Sequence, residues 1–161
     1  VSLLHGDLSE AQMRGLYEHD KIKAIVNISH GEGFGLPLFE AARHSLPIIS
    51  IDWSGQTDFL NDKFLKVKHE LKQVQPQTVW KGVIRSDALW AYADQGSYKM
   101  ALRQMYKNHD DFVRQASDLQ SIVTSEFSDE VLFEKFCNFF YDKREREEME
   151  SDIAALLQDL I

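Results

Sequence analysis

Four consecutive stretches decide the fold: Ala24-Ile25-Val26-Asn27-Ile28, then His30-Gly31-Glu32-Gly33-Phe34-Gly35, then Leu36-Pro37-Leu38-Phe39-Glu40-Ala41-Ala42-Arg43-His44, then Leu46-Pro47-Ile48-Ile49-Ser50-Ile51-Asp52-Trp53. The first is short, apolar and rich in β-branched residues, which suits a strand buried on both faces of a parallel sheet. The second carries three of the eight glycines and reads as a loop. Pro37 stands where proline is favoured, in the first turn of a helix, so the third stretch reads as a helix starting near Leu36. Pro47 closes the connection, and Ile48 to Trp53 reads as a second buried strand. Strand, loop, helix, short loop, strand is the signature of an α/β fold with a parallel sheet flanked by helices.

Working outward, Val1 to Leu4 is a short apolar stretch followed by a turn at His5-Gly6-Asp7. Ser9 and Gln12 then form a capping box, with Leu8 and Met13 at the staple positions, and predict a helix to about His19 that buries Met13, Leu16 and Tyr17. Downstream, Phe64, Leu65 and Val67 fit a strand, and Lys72 to Ser86 reads as irregular. Helical periodicity returns at Ala101, Leu102, Met105 and Tyr106, and again at Phe112, Ala116, Leu119 and Val123. A last helical region is expected from Ser128 through Phe133, Phe136, Phe140 and Tyr141, extending to Leu160. Within it Asp142 and Arg146 have the favourable ion-pair spacing. Cys137 lies among apolar neighbours and reads as a buried core thiol. No repeat or low-complexity tract interrupts the chain.

The 161 residues are 43% hydrophobic and 27% charged, the profile of a globular domain able to form a core without staples. The 18 Lys and Arg against 26 Asp and Glu leave a net charge of −8, so there is no overall basic field and nucleic acid is not an expected partner. No apolar run reaches the length of a membrane span, so no transmembrane segment is expected, and the single cysteine fits a cytoplasmic, reducing setting.

The chemistry concentrates after the first predicted strand. In an open parallel sheet, ligands bind beyond the carboxyl ends of the strands. Gly33 and Gly35 lack a Cβ, so their backbone can approach a ligand, and the first amides of the following helix have no intrahelical acceptor. A phosphate would satisfy them, favoured further by the helix dipole. Glu32 precedes the helix and Glu40 lies about a turn inside it. Separated carboxylates are poor phosphate ligands but good acceptors for paired sugar hydroxyls. Anion-binding amides between two hydroxyl acceptors match a sugar nucleotide, and match neither a bare phosphate nor a metal.

The string Gly31-Glu32-Gly33-Phe34-Gly35-Leu36-Pro37-Leu38-Phe39-Glu40-Ala41, followed by Leu46-Pro47-Ile48-Ile49 and a Gly55 loop, closely resembles the donor-binding E-x7-E segment of the retaining GT-B glycosyltransferases, family 4 in particular. His5-Gly6-Asp7-Leu8-Ser9 is similar to that family's turn before the motif. Gly55-Gln56-Thr57-Asp58-Phe59 is similar to its following loop, where the family more often has Gly-Gly-x-x-Glu. The resemblance is strong over residues 1 to 60 and faint over 80 to 140. It implies a Rossmann-like, partial GT-B C-terminal domain spanning 1–161: a donor-binding core at 1–60, the remainder of the core at 61–127 and a C-terminal helical region at 128–161. It also implies hexose transfer from a nucleotide sugar with retention, with no cofactor or metal beyond the donor. By resemblance Glu32 is the catalytic-site carboxylate near the reacting centre, Gly33, Phe34, Gly35 and Leu36 bind sugar and phosphate, Glu40 holds the ribose, and Gly6 lies near the base.

His30 is a further donor-contact candidate, with a satisfied loop histidine as its alternative. His5 and His44 read as structural or exposed; Lys21, Lys23 and Lys63 read as solvated, with a stand-in role for the family's basic donor contacts as the alternative; Trp53, Trp80 and Trp90 read as buried, with stacking on a base or sugar as the alternative. Asp58 is one methylene shorter than the family's usual glutamate. The family's upstream Arg and Lys and its acceptor-binding N-terminal domain are not in this sequence, so the chain is expected to be a fragment, inactive alone, whose partner is its own N-terminal domain. The alternative function is a non-catalytic GT-B-like module binding a nucleotide or a protein. An epimerase or phosphorylase of the same fold fits the motif less well.

Overall fold

A computed structural model describes residues 2–141, 145, 147–151 and 153. The elements are α1 (Glu10–Tyr17), β1 (Ile25–Asn27), α2 (Leu36–Arg43), β2 (Ile48–Ile51), α3 (Thr57–Leu60), β3 (Leu65–Val67), β4 (His69–Gln73), a 3-10 turn at Pro76–Thr78, β5 (Leu89–Ala93), α4 (Gln95–Lys107), α5 (His109–Glu126) and α6 (Asp129–Phe140). Val1–Val123 form one compact unit and Thr124–Ile161 a second. The expected Asp142 and Arg146 pair and the continuation to Leu160 lie outside the described residues.

The first unit is mixed α/β. A parallel sheet in the order β1-β2-β3 pairs Ile25 with Ile48 and Ile49 with Leu65. The crossovers are α2, as the strand-loop-helix-strand pattern predicts, and the short α3, within residues read from the sequence as a loop. All four residues of central β2 are buried. Side chains alternate across a strand, so Ile49 and Ile51 share one face, and they enter a core with Val67, Ala91, Ala101 and Met105. Ser50 points the other way and is fully buried, its hydroxyl without a hydrogen-bond partner among the described residues. By contrast, β1 is not buried on both faces as its composition predicts. It is the edge of the sheet, and Val26 and Ile28 remain more than a third exposed.

Local signals place the helix starts. Ser9 accepts from the Gln12 amide and Gln12 Oε1 accepts from the Ser9 amide (2.8 Å), so the capping box closes as predicted. Asp94 caps α4 through the Ser97 amide (2.6 Å), while the Ser97 hydroxyl accepts from the Lys68 amide (2.9 Å). That pair ties the start of α4 to the β3–β4 junction. In α5, Ala116, Leu119 and Val123 are buried at helical spacing, and Ser128 caps α6.

Other expectations fail as well. The segment read as irregular begins inside a two-stranded antiparallel sheet, β4 against β5, with His69 opposite Ala93 and Gln73 opposite Leu89. The turn at the far end closes through Trp80 and Ile84 and needs a left-handed Gly82, φ +82°. Strand β4 carries Glu70 and Lys72 among its five residues and is almost wholly exposed, so no apolar alternation marks it. Further, α6 buries none of its residues: Cys137 is half-buried instead of core, and Phe133, Phe136, Phe139 and Phe140 are exposed. Trp53 and Trp80 are exposed as well, against the usual fate of tryptophan.

Candidate functional site: the β1–α2 loop

Asn27 ends β1 and begins the site. Its amide donates to Glu32 Oε1 (2.8 Å), its carbonyl oxygen accepts from the Ser29 amide (2.8 Å), and the Ser29 hydroxyl donates to the same Glu32 oxygen (2.8 Å). Two donors on one oxygen fix the carboxylate's direction. Glu32 Oε2 has no hydrogen-bond partner among the described residues and is left as the acceptor on offer.

The backbone of Glu32 is gripped by the loop after β2. The Glu32 amide donates to Ser54 Oγ (3.1 Å), and the Ser54 hydroxyl (2.6 Å) and the Gly55 amide (3.1 Å) both donate to the Glu32 carbonyl. Ser54 adopts φ +75° to do this, a conformation serine seldom takes. Gly55 is required by contact: a Cβ there would stand 2.0 Å from the Gly33 carbonyl oxygen. Gly35, the N-cap of α2, needs its glycine for φ +90° and for the 3.1 Å approach of Gln56 Cβ. Gln56 is itself fully buried, its side-chain amide donating to the Ile51 carbonyl (3.3 Å).

The start of α2 presents free amides. Leu38 and Phe39 both donate to the Gly35 carbonyl (2.9 and 3.0 Å), so the first turn closes on itself. The N–H groups of Gly33, Gly35 and Leu36 have no acceptor among the described residues. A Cβ on Gly33 would meet nothing within 4 Å, so the approach to its backbone is open. Leu36 turns its side chain to solvent, whereas the Phe34 ring packs on Phe39 and Phe59 at centroid distances of 5.2 and 5.0 Å and anchors the loop. Of the loop residues expected from the sequence, Gly33, Gly35 and Leu36 offer backbone amides, and Phe34 contributes a structural ring.

Glu40 is exposed on α2, and its Oε2 accepts from the Tyr17 hydroxyl (2.8 Å). Burial, then the Glu40 carboxylate, pushes the Tyr17 phenol well above its ordinary value. Tyr17 stacks on His44 (5.8 Å, 10°), and His44 Nδ1 lies 3.1 Å from Glu18. A cavity of about 600 Å3 between α1 and α2 is lined by Met13, Arg14, Tyr17, Glu40, Arg43 and His44 among others.

His30 is held by β5. Its Nδ1 must donate to the Ala91 carbonyl (2.7 Å), and its own carbonyl accepts from the Ala91 amide (3.2 Å). Gly6 has φ +135° in an exposed turn, and no hydrogen bond joins it to the β1–α2 loop. Lys63 is paired with Asp118 (3.0 Å) and Asp58 is exposed on α3. Among the described residues no cluster of three or more His, Cys, Asp or Glu is placed to hold a metal ion, and no helix is long and apolar enough to cross a membrane.

Sequence reasoning overlooked Asn27, Ser29, Ser54 and Tyr17. A polar residue ending an apolar strand, as Asn27 does, is the one local sign that the strand's carboxyl end is built for something other than packing. Comparison of the chain with protein-family models, curated proteins and solved structures gives no match.

Proposed function

We propose that this chain is the donor-binding half of a retaining GT-B glycosyltransferase of the family 4 type, transferring a hexose from a nucleotide sugar. The observation that supports this reading is that three amides without an acceptor among the described residues, of Gly33, Gly35 and Leu36, lie along the chain between Glu32 and Glu40, whose carboxylates each keep an oxygen available. The amides take the diphosphate. Glu40 takes the ribose hydroxyls and Glu32 the transferred sugar.

In that reaction the bond from the anomeric carbon to the phosphate oxygen breaks, and a bond to the acceptor oxygen forms on the same face. Negative charge grows on the departing phosphate, which accepts the acceptor's proton. Amides fixed in advance, at a helix N-terminus, stabilise that charge as it develops. Glu32, oriented by Asn27 and Ser29, steadies the sugar as positive charge builds at its anomeric carbon. No nucleophile role is needed for it.

The test is calorimetric titration of the chain with UDP, GDP, ADP and their hexose conjugates, alongside Glu40→Ala and Glu32→Ala. Glu40→Ala should weaken nucleotide binding, and Glu32→Ala should spare the nucleotide while weakening the sugar nucleotide. Equal binding by the parent and both variants overturns the assignment, as does no binding at all. One observation favours the second reading, a non-catalytic nucleotide-binding module: Lys63, the candidate closest in sequence to the Gly55 loop, is engaged by Asp118.

A further inference from the structure

The β4–β5 sheet carries an unusual surface beside the candidate site. Residues 70, 72, 90 and 92 share one face of the hairpin, with Glu70 opposite Tyr92 and Lys72 opposite Trp90. His30, two residues before Glu32, lies against that face. Its ring stacks on Trp90 (4.9 Å, 13°) and packs tilted against Tyr92 (4.5 Å, 51°).

This cluster is not a closed core. His30 is exposed, and Trp90 and Tyr92 are each only half-buried. Neither the Trp90 indole N–H nor the Tyr92 hydroxyl has a hydrogen-bond partner among the described residues. His30 spends Nδ1 on the Ala91 carbonyl, which leaves Nε2 at the surface. Lys72 and Glu70, 3.0 Å apart and more than half exposed, form a polar rim. Aromatic rings with unspent polar tips suit a ligand that is itself apolar on one face and polar at its edge.

A pyranose ring is such a ligand: its axial C–H bonds pack on an aromatic face while its equatorial hydroxyls seek donors and acceptors at the rim. A polyanion is disfavoured by the net charge of −8. We propose that the face formed by His30, Trp90 and Tyr92 and rimmed by Glu70 and Lys72 binds a neutral sugar of the acceptor glycan. The acceptor is then not held by another domain alone. His30 serves this surface and the β1–α2 loop together, since its backbone and side chain both bond to Ala91. Naming the bound sugar an acceptor rests on the donor reading above; the sugar-binding surface itself does not.

The experiment titrates the chain with neutral hexasaccharides of glucose, mannose, galactose and N-acetylglucosamine in α and β linkage, read by tryptophan fluorescence and by saturation-transfer NMR. At least one should bind, with saturation at its ring C–H protons. Trp90→Ala should weaken binding by about tenfold. Tyr92→Phe and the surface variant Lys72→Ala, neither of which removes packing from the core, should each weaken it several-fold and leave binding of UDP, GDP or ADP unchanged. No binding of any hexasaccharide at about 10 mM overturns the proposal. So does binding unaffected by all three variants, or loss of nucleotide binding in Tyr92→Phe and Lys72→Ala, which would make this a nucleobase surface. Sugar binding without nucleotide binding would sink the donor reading and leave the surface standing.

Discussion

Gly55 and Tyr17 show how much of the site depends on single side-chain atoms. Adding one carbon at Gly55 drives it into the Gly33 carbonyl, where only backbone can give way. Gly55→Ala is therefore expected to cost about 3 kcal/mol in urea unfolding and to displace the Glu32 loop. Tyr17→Phe removes the hydrogen bond to Glu40 and keeps the ring on His44, for an expected loss of about 1 kcal/mol at neutral pH. The pH dependence has a definite sign. The folded protein holds the Tyr17 phenol protonated above the ordinary value of 10, at which the unfolded chain releases the proton. The unfolded state then binds fewer protons, so the contribution is complete below that value and is lost as pH rises above it. Parent protein should lose stability through alkaline pH more steeply than Tyr17→Phe, as chemical denaturation at a series of pH values would record.

At the scale of elements, the two best-defined caps differ in what they join. Ser9 closes an exposed box within α1, whereas Asp94 and Ser97 bind α4 to the β3–β4 junction. Ser9→Ala should cost about 0.5 to 1 kcal/mol and Asp94→Ala about 1 to 2 kcal/mol, measured by the same unfolding curves. Elements with a local physical cause were legible in the sequence: the capping box of α1, Pro37 in the first turn of α2, the apolar β2, the periodic α5. Strands β4 and β5 were not. His69-Glu70-Leu71-Lys72-Gln73 has no apolar alternation, and it is a strand because Leu89–Ala93 lies beside it to satisfy its backbone. The same holds for the site. Glu32 and Glu40 could be picked out from the glycine loop between them, but Ser54 and Tyr17 could not, because they reach the glutamates across 22 and 23 residues of chain.

At the scale of the molecule, the buried apolar residues end at Val123 among the described residues, and α6 contributes none. Leu119→Ala, at a fully buried position, should cost about 2 to 5 kcal/mol, while Phe133→Ser on exposed α6 should stay within about 0.5 kcal/mol of the parent. A large loss in Phe133→Ser would show that this aromatic face is covered in solution. The sequence by itself determined where α1 and α2 start, that β2 is a buried strand and where a glycine loop meets a helix, since capping, hydrophobic period and backbone freedom act within a few residues. Only the tertiary structure decided that β1 is a half-exposed edge, that His30 is tied to β5 and stacked on Trp90, and that Glu32 has one oxygen held and one on offer. Those outcomes depend on which distant segments pack together, and burial and hydrogen-bond partnership across tens of residues leave no periodic trace along the chain.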